Sequence, residues 1–177
     1  MEIKPLQSLD SSVIELLTNW RERCFRHQHA HAACASIFAA RHYLIGIPLV
    51  VLTALAAARW PEGADSTWVK WLVSLASLSA AILAAVQTFL LNSERAEKHR
   101  TASAAYLSLR RRIGQFLLIP TEKQALEESI NDIRERLDLL DQDAPTVLNK
   151  VWKRLDATLE MKKTGIAEQA LFEQTEK

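Results

Sequence analysis

Glycine and proline are scarce here, 4 and 5 in 177 residues, so few positions are able to break a helix. Neither occurs anywhere between Gly63 and Gly114. The only two cysteines, Cys24 and Cys34, lie ten positions apart on one segment, which excludes a disulfide framework and fits a reduced, cytosolic setting. A net charge of +1 leaves no broad basic field for wrapping nucleic acid. The opening residues Met1-Glu2-Ile3-Lys4-Pro5 contain no basic stretch running directly into an apolar core, so no cleavable signal peptide is expected. Also missing are a glycine-rich phosphate loop, a nucleophile motif and paired carboxylates away from solvated helix faces. Neither an enzymatic activity nor a cofactor is expected.

What is present is an uneven distribution of charge. Hydrophobic residues make up 49% and charged residues 24%, but the charge is absent from two blocks. His42–Ala58 is a run of 17 residues without Asp, Glu, Lys or Arg, bounded by Arg41 and Arg59. Seventeen is at the short limit for a bilayer span, but Ala32–Ala40 extends the apolar stretch and Arg41 can snorkel. Pro48 lies inside the run, where a bilayer tolerates a kink if neighbours satisfy the freed carbonyl. Trp71–Ser93 is a second, stronger run of 23 residues. Between them, Pro61, Glu62, Gly63 and Asp65 form a turn, with Trp60, Trp68 and Trp71 placed as an aromatic belt. A helix of a soluble bundle normally keeps one face in water. Along Trp71–Leu91 the only polar side chains are Ser74, Ser77, Ser79, Gln87 and Thr88. The pattern predicts a transmembrane hairpin over 42–93, with spans at about 42–59 and 69–92.

Arg21, Arg23, Arg26 and Arg41 precede the first span, and Arg95, Lys98, Arg100, Arg110 and Arg111 follow the second. The connecting turn carries only Arg59 and Lys70. This asymmetry predicts that both termini are cytoplasmic in the cell's inner (plasma) membrane.

The remainder reads as helix. An N-terminal juxtamembrane helix over 1–41 starts near Asp10 or Ser12, where Ser12 and Glu15 make a capping-box pattern. The second span is expected to continue without interruption through Asn92–Phe116, roughly 50 residues and about 75 Å of helix. Pro120 ends it and Thr121 caps the next. There Leu126, Ile130, Ile133, Leu137 and Leu140 recur at 4-3-4-3 spacing and need a partner helix. Pro145 suits the first turn of a further helix carrying Leu148, Val151, Leu155 and Leu159. The expected fold is all-α: a two-transmembrane hairpin whose long helices extend into a cytoplasmic bundle over 94–162. A polar tail, 163–177, is expected to fray and remain flexible.

Two constellations stand out. Cys24, His27, His31 and Cys34 form a stripe at 3-4-3 spacing, and Cys and His at such intervals can contribute metal ligands. Four on one helix spread over about 15 Å, too far to converge on one ion, so a packing seam is favoured over a metal site. A histidine stripe can also sense pH. In the second span Ser74, Ser77, Ala81, Ala84 and Thr88 form a small-residue face, either for close hairpin packing or for lining a pore in an oligomer. The run Arg110-Arg111-Arg112 suits a solvated or headgroup-binding patch.

After the second span come Glu94-Arg95-Ala96-Glu97-Lys98-His99-Arg100, then Ala102, Ala105-Tyr106, Leu109 and Arg112-Ile113, and later Asp143-Ala144-Pro145 followed by Trp152. From about Leu16 to Leu155 this order of parts resembles the SLATT domain, a two-transmembrane effector class of prokaryotic conflict systems. His99, Ala102, Tyr106 and Pro145 are the positions that match its pattern. The resemblance implies a pore- or lesion-forming homo-oligomer acting on the lipid bilayer in antiviral defence. It also implies a nucleotide-signal generator or sensor as partner. The alternative is a membrane-anchored helical scaffold or sensor without pore activity.

Overall fold

The computed structural model describes residues 10–58, 67–118 and 123–175, with side chains described except over 123–125 and 163–175. The expected turn at 59–66, including Trp60, Pro61 and Gly63, lies outside the described residues, as do Pro120 and Thr121. Among the described residues every regular element is a helix: α1 (Ser11–Ala57), α2 (Thr67–Leu90), α3 (Asn92–Leu118), α4 (Lys123–Asp143) and α5 (Asn149–Thr175).

Asp10 starts α1. Its carboxylate accepts from the Ser12 N–H at 3.4 Å, and its carbonyl accepts from the N–H groups of Val13 and Ile14. An aspartate in this place satisfies an amide that the helix itself leaves unpaired. The helix then runs through Pro48, whose missing N–H leaves the Leu44 carbonyl without its helical donor.

The chain divides into two compact units, one of residues 1–34 with 98–177, the other of residues 35–97. The first unit has a conventional core. Leu17 and Cys24 of α1, Tyr106, Leu109 and Ile113 of α3, and Ile133 and Leu137 of α4 form one buried cluster. Ile130 and Leu140 pack against its edge. The leucine–isoleucine seam of α4 therefore finds its partner helix in α3 of the same chain.

The second unit is built the other way round, with apolar side chains outward. Tyr43, Leu44, Ile47 and Val50 of α1 and Trp68, Trp71, Leu75 and Phe89 of α2 are all exposed. Each of the two long apolar helices is sufficient in length and hydrophobicity to cross a membrane, and only 6% of its most apolar stretch is buried within the chain. A buried core helix of a soluble protein has the opposite property. Contiguous exposed apolar surface of this extent is rare on soluble monomers. Gln87, near the end of α2, lies 3.4 Å from His42 and packs over Gly46, near the start of the apolar part of α1, so these helices run antiparallel.

Two expectations need correction. The helix predicted to run from Trp71 into Phe116 is present as a run of 52 residues, Thr67–Leu118, but not unbroken: it holds one non-helical residue, Leu91, with φ of 46°. Lack of Gly and Pro means only that nothing forces a break. The less exposed positions of α2 run Val73, Ala76, Ala80, Leu83, Gln87, Leu90, a stripe that a continuous helix would carry to 93 or 94. It resumes instead at Asn92 and Ala96, both buried, and the left-handed residue supplies that shift of phase. Pro145 does not open the last helix. Residues 145–148 are non-helical, Val147 is buried, and α5 starts at Asn149 with the Leu148 carbonyl accepting from Val151 and Trp152. Helix α5 runs to Thr175.

Candidate functional site

The chemistry-bearing side chains of the first unit gather in one aromatic column. Helix α1 presents Cys24, His27 and His31 inward at successive turns, because 3-4 spacing keeps them on one face. Helix α3 presents His99, Ala102 and Tyr106 in the same way, and His99, Ala102 and Tyr106 are all buried. The His31 and His99 Nδ1 atoms stand 3.0 Å apart. One ring must donate and the other accept, so the pair is satisfied only while at least one imidazole is neutral. The His31 ring stacks on Tyr106 with centroids 5.5 Å apart. His27 lies 5.0 Å from the same tyrosine ring and meets Trp152 of α5 edge-on at 5.2 Å.

Tyr106 anchors the far side. Its hydroxyl donates to the Asp141 carboxylate at 2.7 Å, and the other oxygen of Asp141 takes Arg23 at 2.5 Å. Helices α1, α3 and α4 thus share one carboxylate. Arg26 pairs with Asp156 of α5 and lies over the Trp152 ring, which ties the last helix to the first.

Burial sets the protonation states. It pushes the His31 pKa down to about 4, aided by the neighbouring His99 and His27. It lowers His27 and His99 as well. Tyr106 is raised above the ordinary phenol value by burial first and then by its hydrogen bond to Asp141. Cys24 is pushed up to about 11, by burial and then by the Asp141 charge. A thiol held protonated is neither a metal ligand nor a nucleophile. The column is therefore neutral at physiological pH, and its chemistry is that of a proton-sensitive structural core.

The metal reading of the stripe finds no third ligand: among the described residues no three His, Cys, Asp or Glu side chains are grouped to hold an ion. Cys24 enters the hydrophobic core and Cys34 is buried as a free thiol. Sequence reasoning gathered His27, His31, His99 and Tyr106 from two separate arguments but did not join them. It missed Asp141 altogether. The available signal was a carboxylate four residues after Leu137, hence on the edge of the α4 core face.

In the second unit Ser74, Ser77, Ala81 and Thr88 are exposed and Ala84 is partly buried. Four of the five lie beside the positions of α2 that pack within the unit, and Ala84 is one of those positions. Ser77 and Thr88 donate back to the carbonyls of Val73 and Ala84, at 2.9 Å each. The hydroxyls are thereby satisfied in an apolar medium without a partner helix. Gln87, by contrast, is turned toward His42, and its Oε1 has no hydrogen-bond partner among the described residues. Pro145 is only partly buried and touches none of this chemistry directly; its place is the non-helical link between α4 and α5.

Comparison with known proteins gave no match: no family model, no curated protein and no solved structure is similar to this chain.

Proposed function

We propose that the chain is a membrane-embedded, self-associating effector of the SLATT type. In this reading it sits in the inner (plasma) membrane with both termini in the cytoplasm, and permeabilises the bilayer when a nucleotide-signalling partner triggers it in antiviral defence. The observation that carries the proposal is the inside-out second unit. Two antiparallel apolar helices expose their hydrophobic side chains, and Ser74, Ser77, Ala81 and Thr88 of the adjoining strip of small and hydroxyl residues are exposed with them. Hydrocarbon suits the first surface. Neighbouring copies suit the second, since small faces allow transmembrane helices to approach closely. In an oligomer the same strip, Ser74 to Thr88, lines the axis. Expression should collapse the membrane potential of the host, read with a voltage-sensitive dye, and an unchanged potential under every trigger tested would remove the effector role.

A second reading has an observation of its own. The buried His31–His99 pair with Tyr106 and Asp141 is a core whose stability depends on protonation, which suits a membrane-anchored sensor or scaffold in which the hairpin only tethers. Assembly without leakage separates the two.

A further inference from the structure

We infer that Arg41 and Arg95, stacked on one phenyl ring, clamp the phosphate of an anionic phospholipid headgroup. The inference rests on the membrane-spanning reading above. Phe38 is 5% exposed, and the guanidinium carbons of Arg41 and Arg95 stand 5.7 and 5.9 Å from its ring centroid. Stacking orients a guanidinium plane through its π face and leaves the in-plane N–H donors unspent. Both arginines are exposed, and neither forms an ion pair among the described residues. Glu94 and Glu97, the carboxylates nearest to Arg95 in sequence, already have interactions of their own.

Two planar cations at one ring suit a phosphate, whose oxygens accept from both. The place selects the source. Arg41 is the last charge before the first apolar run and Arg95 the first cation after the second, which is the depth of the headgroups.

The test uses the full-length chain purified in detergent, with phosphatidylglycerol or phosphatidylcholine titrated and retained lipid counted by native mass spectrometry. The wild type should retain phosphatidylglycerol about tenfold better than phosphatidylcholine, and Arg41→Gln with Arg95→Gln should abolish that preference. Arg134→Gln, an exposed arginine of α4 outside the clamp, should preserve it. Arg95→Lys keeps the charge but loses the planar stacking, and should weaken the preference with melting behaviour unchanged; this variant carries the test if the double one does not fold. An undiminished preference in both the double variant and Arg95→Lys overturns the inference. So does an equal loss in Arg134→Gln, or displacement of the lipid by excess inorganic phosphate. Flotation on liposomes keeps the two layers apart. A chain that floats equally on both lipids with no preference loses only this inference, whereas a chain that floats on neither loses the membrane reading as well.

Discussion

His31 and His99, 68 residues apart, face each other with Nδ1 atoms at 3.0 Å in the buried core of the first unit. The pair holds α1 to α3 only while it can share a single proton between the rings. Burial lowers the His31 pKa from 6.5 to about 4, so the folded chain binds this proton less readily than the unfolded chain. Stability is then full above about pH 6.5 and declines as pH falls through the window down to about 4, by on the order of 3 kcal/mol for this residue alone. His27 and His99 are shifted in the same direction and steepen the decline. Denaturant unfolding across that window should show the slope, and His31→Phe combined with His99→Leu should flatten it. An equal slope in the double variant would place the pH dependence elsewhere.

The Tyr106 hydroxyl should be worth about 1 kcal/mol, the usual net value of a hydrogen bond, because Tyr106→Phe leaves Asp141 paired with Arg23. Asp141→Ala should cost more, since it strips partners from both Tyr106 and Arg23. The ranking is the check. If Tyr106→Phe is the more damaging of the two, the carboxylate is not the hub described here.

Ile133 is fully buried between α3 and α4. Ile133→Val should cost about 1 kcal/mol, and Ile133→Asp about 3–5 kcal/mol, as expected when a charge is buried without a partner. Thermal melting of both variants measures the difference. Similar melting temperatures for the two would mean that the α4 seam is not packed as described.

The proposed orientation, with both termini cytoplasmic, requires the segment around Gly63 to face outward. Gly63→Cys should react with a membrane-impermeant thiol reagent on intact cells, against a low background because Cys24 and Cys34 are both buried. Labelling seen only after lysis would reverse the orientation.

The helical fold and the two apolar segments were legible because periodicity and charge-free length report directly on the solvent each face meets. Ile133 and Leu137 were recognisable as core positions for the same reason. The break at Leu91 was not, because no local rule asks a leucine to take a positive φ; it accompanies a change of buried phase to Asn92 and Ala96. The start of α5 was misplaced by trusting Pro145: residues 145–148 are non-helical, with Val147 buried. His31 was noted for its stripe and His99 for its family spacing. Their contact was hidden because it depends on the register between α1 and α3, which no single-helix pattern encodes.

The central claim is that this chain opens the bilayer through the small-residue strip of α2. Purified full-length protein in dye-loaded liposomes, with leakage and oligomer size measured on the same sample, tests it most directly. Wild type should assemble and leak under its trigger, whereas Ser77→Leu and Ala81→Leu should remain assembled and leak at least about tenfold less, because a leucine side chain obstructs a narrow helix-lined path. Wild-type protein that assembles but leaks under no trigger, or leucine variants that leak as freely as wild type, would contradict the account.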